Sequence, residues 1–176
     1  AVAAYRSNLG SDAPPTCYDD IDHADVILII GSNMADAHPV TFDRVKAAKK
    51  ARPELKIVVI DPRQTRTAAE ADLHIAVAPG GDIALLNAAA RRLMADGRVD
   101  EKFVRQSTNG FAEYREFLEQ LDPHEATSIA GVSPAQLEQL AAILGQAHNW
   151  LSFYCMGLGQ STVGMWKINS LINLHL

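Results

Sequence analysis

Four short stretches hold the residues whose types and spacing suggest chemistry: Gly31-Ser32-Asn33-Met34, Asp61-Pro62-Arg63-Gln64-Thr65, Pro79-Gly80-Gly81-Asp82 and Met156-Gly157-Leu158-Gly159-Gln160. Glycine after an apolar run lets the backbone turn sharply and lets a ligand approach closely. Ser32, Asn33, Thr65 and Gln160 offer hydroxyl and amide groups that donate or accept. An acid such as Asp61, at the end of a second strand, suits ribose hydroxyls. Pro62 fixes the local backbone and so aims Arg63, whose planar fork matches a phosphate or a purine edge. Asp82 could accept two parallel hydrogen bonds from the N1–H and 2-amino group of a guanine. The mixture suits a ligand with a phosphate, a ribose and a base.

Each stretch also has a plainer reading. Gly31 to Met34 could be an ordinary strand-to-helix loop, and Asp61 with Arg63 a surface ion pair of little energetic weight. Asp82 could simply cap the helix that follows, which is the usual work of aspartate at such a position. Met156 on its own is more often a core residue than a ligand contact. The first loop is not a G-x-G-x-x-G fingerprint, so a nicotinamide site is not specifically indicated. Nothing here does catalysis: the six histidines, Cys17 and Cys155 lack metal-ligand spacing, and no Ser/His/Asp or Cys/His arrangement stands out. No catalytic and no metal-binding residue is expected. The cysteines read as free thiols, which fits a reducing compartment.

The elements that must position these stretches are legible in the hydrophobic pattern. The runs 26–30, 57–60 and 73–77 are short, largely apolar and rich in β-branched residues, as strands buried on both faces should be. Each stops at one of the four stretches, and a strand-like run at 150–154 stops at the last. Helical patterns lie between them: one entered at His38-Pro39, one capped by Asp82 and ending near Gly97, two over 100–107 and 111–121, one opened by a Ser133/Gln136 capping box, and a final one from Ser161. The alternation predicts a three-layer α/β, Rossmann-like fold around a mostly parallel sheet, with all four stretches as corners on its carboxyl edge.

With 176 residues, 48% hydrophobic and 21% charged, the chain has the composition of one globular domain. A net charge of −5 argues against a general nucleic-acid binder. No apolar stretch approaches the roughly 20 residues of a membrane span, and the start does not look like a signal peptide. The absence of an initial methionine and the uncapped segment 168–176 suggest a piece of something larger, with 160–176 leading onward.

Taken in order, the motifs resemble the molybdopterin-dependent nitrate reductases. Cys17-Tyr18-x-Asp20-Ile21 and Ala24-Asp25 are followed by Gly31-Ser32-Asn33-Met34-Ala35-x-x-His38-Pro39 and Asp61-Pro62-Arg63-x-Thr65. Ala71-Asp72-Leu73-His74, Pro79-Gly80-Gly81-Asp82, Met156-Gly157 with Gln160, and Asn173-Leu174-His175-Leu176 complete the pattern. The resemblance covers the whole chain and rests on ordered agreement rather than on any one motif. It implies the domain that grips the guanine end of one dinucleotide in a molybdenum bis(molybdopterin guanine dinucleotide) cofactor. The implied contacts are Gly31, Ser32, Asn33, Met34, Asp61, Arg63, Thr65, Gly80, Gly81, Asp82, Met156 and Gln160. It further implies a 4Fe-4S cluster and a molybdenum ligand outside this chain, an electron-donor protein or domain as partner, and no activity for this piece alone. The Asp-Pro-Arg motif is closer to assimilatory, cytoplasmic nitrate reductases, with a formate dehydrogenase of the same family as the alternative. A nucleotide-binding module without redox chemistry, or the central domain of a thiamin-diphosphate protein, is the rival from a different class.

Overall fold

The computed structural model describes residues 1–176. Helix α1 (Val2–Leu9) and the single turn α2 (Asp20–His23) lead into strand β1 (Val26–Ile30). Then come α3 (Met34–Ala37), α4 (Pro39–Ala51), β2 (Lys56–Ile60), α5 (Arg66–Ala69) and β3 (Leu73–Ile75). A helical excursion follows: α6 (Asp82–Ala95), α7 (Glu101–Ser107), α8 (Phe111–Gln120), α9 (Pro123–Ala130) and α10 (Pro134–Gln146). The chain then returns through β4 (Trp150–Tyr154), α11 (Met156–Gly159) and α12 (Gly164–Asn173).

The four strands form one sheet in the order β3-β2-β1-β4, and every pairing is parallel. Alternation along each strand divides the core into two layers. Val26, Leu28, Ile30, Val58, Ile60 and Ile75 face one side, where they meet Leu85, Leu86 and Ala89 of α6, Leu140 of α10 and Ile168 of α12. Ile27, Ile29, Ile57 and Val59 face the other, against Ile21 of α2 and Phe42, Val45 and Ala48 of α4. All five residues of β1 are buried, so a helix layer must cover each face. Burying each such side chain contributes about 1.5–3 kcal/mol, so a polar residue at Ile27 or Leu28 would break the fold.

From β1 the chain steps to β2 and β3 over the layer containing α4 and α5. It comes back to β4 across the opposite face. Right-handed connections require that change of face when the direction reverses. The reversal lies between β1 and β4, so the carboxyl ends of those two strands form the topological switch point where open sheets of this kind bind ligands.

At the opposite, amino edge the polar groups close on one another. Asp25 accepts from Arg52 Nη2 at 2.7 Å and from the backbone N–H groups of His148 and Asn149, each at 3.1 Å. The Asn149 N–H and then the Arg52 guanidinium hold this carboxyl below the usual carboxylate range. Asp72 accepts from Ile57 N at 2.8 Å and from Lys49 Nζ at 2.9 Å, which pins the start of β2.

Several expectations are corrected. The third strand is only three residues long, because Val77 and Ala78 leave the sheet: Ala78 N donates to Ala130 O of α9. Asp122-Pro123, which follows α8, starts α9: Asp122 caps the His124 N–H at 2.9 Å, and Pro123 sits at the first helical position, where its missing N–H costs nothing. A leading turn forms at 20–23, with Cys17 N donating to the Asp20 carboxylate. The last helix begins at Gly164, not Ser161. The Ser133/Gln136 capping box is present in both directions.

Candidate functional site

The corner after β1 is set by Gly31, which has φ +57°, in the left-handed region that favours glycine. Space at this point is needed by the chain itself. Gly157 N donates to Gly31 O at 3.0 Å, and a Cβ on residue 31 would lie 2.7 Å from Leu158 N. The first and fourth corners are therefore packed backbone to backbone, and the space a side chain on residue 31 would need is taken by Gly157 and Leu158. Ser32 is buried. Met34 is a core residue of the α4 layer, so any ligand contact from it would come from its backbone.

Asn33 links the first corner to the second. Its Nδ2 donates to Asp36 Oδ2 at 2.6 Å, and its Oδ1 accepts from Thr67 Oγ1 at 2.9 Å. Thr67 Oγ1 in turn accepts from Ala35 N at 2.9 Å, and Arg66 Nη1 donates to Asp36 Oδ1 at 2.8 Å. Thr67 is fully buried and was not singled out from sequence, where it is one threonine in an alanine-rich stretch. The Asn33 amide, read as a ligand group, is engaged within the loop.

At the second corner Asp61 is 5% exposed, and its Oδ1 accepts from Arg63 N at 2.9 Å, which fixes the Asp-Pro-Arg turn. The Arg63 guanidinium remains 77% exposed, with only a 3.8 Å approach to Asp61. The backbone of Arg63 is aimed as expected, whereas its charged head is largely exposed and only loosely held. Thr65 caps α5 by accepting from Ala68 N at 3.2 Å.

At the third corner Gly80 has φ +92°, and a Cβ added there would have nothing within 4 Å, so its outer face is open. Gly81 is closed: a Cβ there would sit 2.6 Å from Ala130 Cα at the end of α9. Gly81, not Asp82, is the N-cap of α6, and no side chain caps that helix. Asp82 occupies the first helical turn, where the dipole favours an anion. Its Oδ2 lies 2.6 Å from Lys167 Nζ of α12. This lysine, like Thr67, was not singled out from sequence. The signal was available: Lys167 falls on the buried stripe Gly164, Ile168, Leu171, where a cation needs a partner.

At the fourth corner residues 156–159 form the turn α11 instead of a loop. Met156 is 60% exposed and Gln160 is exposed at its end. Met156 is thus not a core residue.

The corners are joined pairwise: first to fourth through Gly31 and Gly157, first to second through Asn33 and Thr67, and third to the helix after the fourth strand, α12, through Asp82 and Lys167. A cavity of about 500 Å³ along the free edge of β4, lined by Tyr5, Pro14, Trp150 and Leu171 among others, includes none of the corner residues. No group of His, Cys, Asp and Glu is arranged to hold a metal ion, and Cys17 and Cys155 are free. No helix is long and apolar enough to cross a membrane.

Comparison with known proteins agrees with this architecture. The family model described as molybdopterin oxidoreductase matches residues 3–176. A nitrate reductase of Synechocystis sp. is 43% identical over 176 residues, all of this chain and 25% of that protein. The alpha subunit of a formate dehydrogenase of Methanococcus maripaludis is 41% identical over 175 residues, 99% of this chain and 26% of that protein. The solved structure of acetylene hydratase from Pelobacter acetylenicus superposes with a TM-score of 0.87 at 22% identity, covering 99% of this chain and 23% of that one, and so shares the fold. The chain spans about a quarter of the length of these relatives. On the match along nearly its whole length, the chain belongs to the molybdopterin oxidoreductase family.

Proposed function

We propose that this chain is the domain that holds the guanine-bearing end of a molybdopterin guanine dinucleotide in a nitrate reductase. The observation that carries the reading is the convergence of four corners, distant in sequence, on the carboxyl edge of one sheet. The polar groups left facing outward there fit the ligand. Arg63 presents an exposed guanidinium, only loosely held at 3.8 Å from Asp61, of the kind that matches a diphosphate. Gln160 adds an exposed amide, the buried Ser32 and the cap Thr65 stand at the same corners, and the open face of Gly80 permits close approach of a backbone N–H. Asp61 and Asp82 are nearly buried carboxylates suited to ribose hydroxyls and to the N–H edge of guanine. Asn33 acts mainly by bracing the loop, and Met34 through its backbone.

In a complete enzyme the bound cofactor supplies the molybdenum centre at which nitrate gives up an oxygen atom and becomes nitrite. This chain contributes no catalytic residue. It positions the cofactor's distal end, and its hydrogen bonds bear on how the reactive end is oriented. The nitrate reading brings with it a cytoplasmic location, a second dinucleotide, a 4Fe-4S cluster in the parent protein and an electron-donor partner. The piece alone would be inactive. Formate oxidation is the second reading, favoured by the nearly equal identity to a formate dehydrogenase subunit.

The test is to purify the parent enzyme, assay it with nitrate and with formate, and measure molybdenum and acid-released GMP. Nitrate turnover with about two GMP per molybdenum is expected. Formate turnover would move the reading to its alternative. An active enzyme without GMP would end the guanine assignment.

A further inference from the structure

Lys167 is 5% exposed and lies in the first turn of α12, where a helix dipole disfavours a cation. Burial and the dipole both count against a lysine there, so its position requires an anion nearby. The anion it meets is Asp82, whose side chain is 10% exposed and whose Oδ2 stands 2.6 Å from Nζ. Asp82 has no capping duty, because Gly81 caps α6 without help from a side chain. Its other oxygen, Oδ1, has no partner within the chain, and the side chain keeps a tenth of its surface exposed. The pair also bridges two helices that begin at opposite ends of the sheet's carboxyl edge, one after β3 and one after β4.

The geometry points to Lys167 as a positioning residue for the nucleotide base: it holds the Asp82 carboxylate in one rotamer by engaging Oδ2, and leaves Oδ1 free as the acceptor for a base N–H. Lys167 does not touch the base itself. This rests on the reading that Asp82 recognises the guanine. It also changes that reading, since a carboxylate with one oxygen held by an ammonium offers one strong acceptor and one shared one, rather than two equivalent ones.

The test uses the intact enzyme in four forms beside wild type: Lys167→Met, Lys167→Arg, Asp82→Asn and the Asp82→Asn/Lys167→Met double variant. Each is passed through gel filtration, and retained GMP and melting temperature are measured. Lys167→Met is expected to lose GMP by roughly tenfold and to melt lower, because it strands a buried charge. The double variant is expected to recover the melting temperature, since both charges are gone, and to retain no more and no less GMP than Asp82→Asn alone. Lys167→Arg is expected to recover part of the retention. Full GMP in Lys167→Met, or in the double variant, would overturn the proposal and leave the pair a structural tie. A double variant with less GMP than Asp82→Asn would overturn it differently, by showing that Lys167 contacts the ligand directly. A wild-type enzyme that releases no GMP would instead remove the guanine reading beneath it.

Discussion

The two edges of the sheet are built from similar residues and use them in opposite ways. At the amino edge, Asp25 is saturated by Arg52 and two backbone N–H groups, and Asp72 by Lys49 and Ile57 N. At the carboxyl edge, Arg63 stands 77% exposed, Gln160 is exposed at the end of its turn, and Gly80 has an open face. Polar groups that satisfy each other hold a fold together; polar groups that a rigid scaffold presents unpaired are available to a ligand. The contrast supports the proposal that the amino edge serves stability and that the exposed groups of the carboxyl edge serve recognition.

The sharpest way to break the comparison is at Gly31, where scaffold and site coincide. Gly31→Ala forces a Cβ to 2.7 Å from Leu158 N and places alanine at φ +57°. Strain and backbone overlap together should cost about 3 kcal/mol, read by denaturant unfolding of the intact enzyme, with GMP lost as well. A smaller effect, confined to stability, is expected from Asp25→Asn. Losing a charge-assisted contact at a partly exposed site should cost about 2 kcal/mol, with GMP retention unchanged in the folded fraction. Because Asn149 and Arg52 depress the native value of Asp25, its contribution is complete above its ordinary 3.8 and disappears as pH falls through the lowered native value. Melting curves of wild type and variant should thus be separated at pH 6 and draw together below pH 4.

Arg63→Ala should do the reverse. Its exposed head contributes within about 0.5 kcal/mol to stability, while retained GMP should fall roughly tenfold and become less sensitive to salt. Gln160→Ala should give the smallest change, a loss of GMP retention of about threefold with an unaltered melting temperature. If Arg63→Ala lowered the melting temperature as much as Asp25→Asn and left GMP in place, the division between the edges would be wrong.

The strands, the parallel sheet and the four corners were legible in the sequence, because continuous β-branched runs ending in Gly or Asp-Pro have few other interpretations. Sequence was less informative where one residue serves two elements. Asp122-Pro123 reads as a stop, yet it also starts α9, since a cap and an N1 proline look the same from either side. Asp82 reads as a cap because local pattern cannot reveal a partner 85 positions away; the Lys167 ion pair is a product of tertiary packing. Gly31 and Gly157 were each legible as permissive residues, but not as permitting one another. Asn33 similarly offered amide groups without disclosing that Asp36 and Thr67 would claim them.

The central claim is tested most directly by a crystal structure of the intact, cofactor-loaded enzyme. The account predicts a guanosine diphosphate moiety lying over the carboxyl edge, within hydrogen-bond distance of Arg63, Asp82 and Gln160. A nucleotide bound elsewhere, with those three side chains still facing solvent, would contradict it.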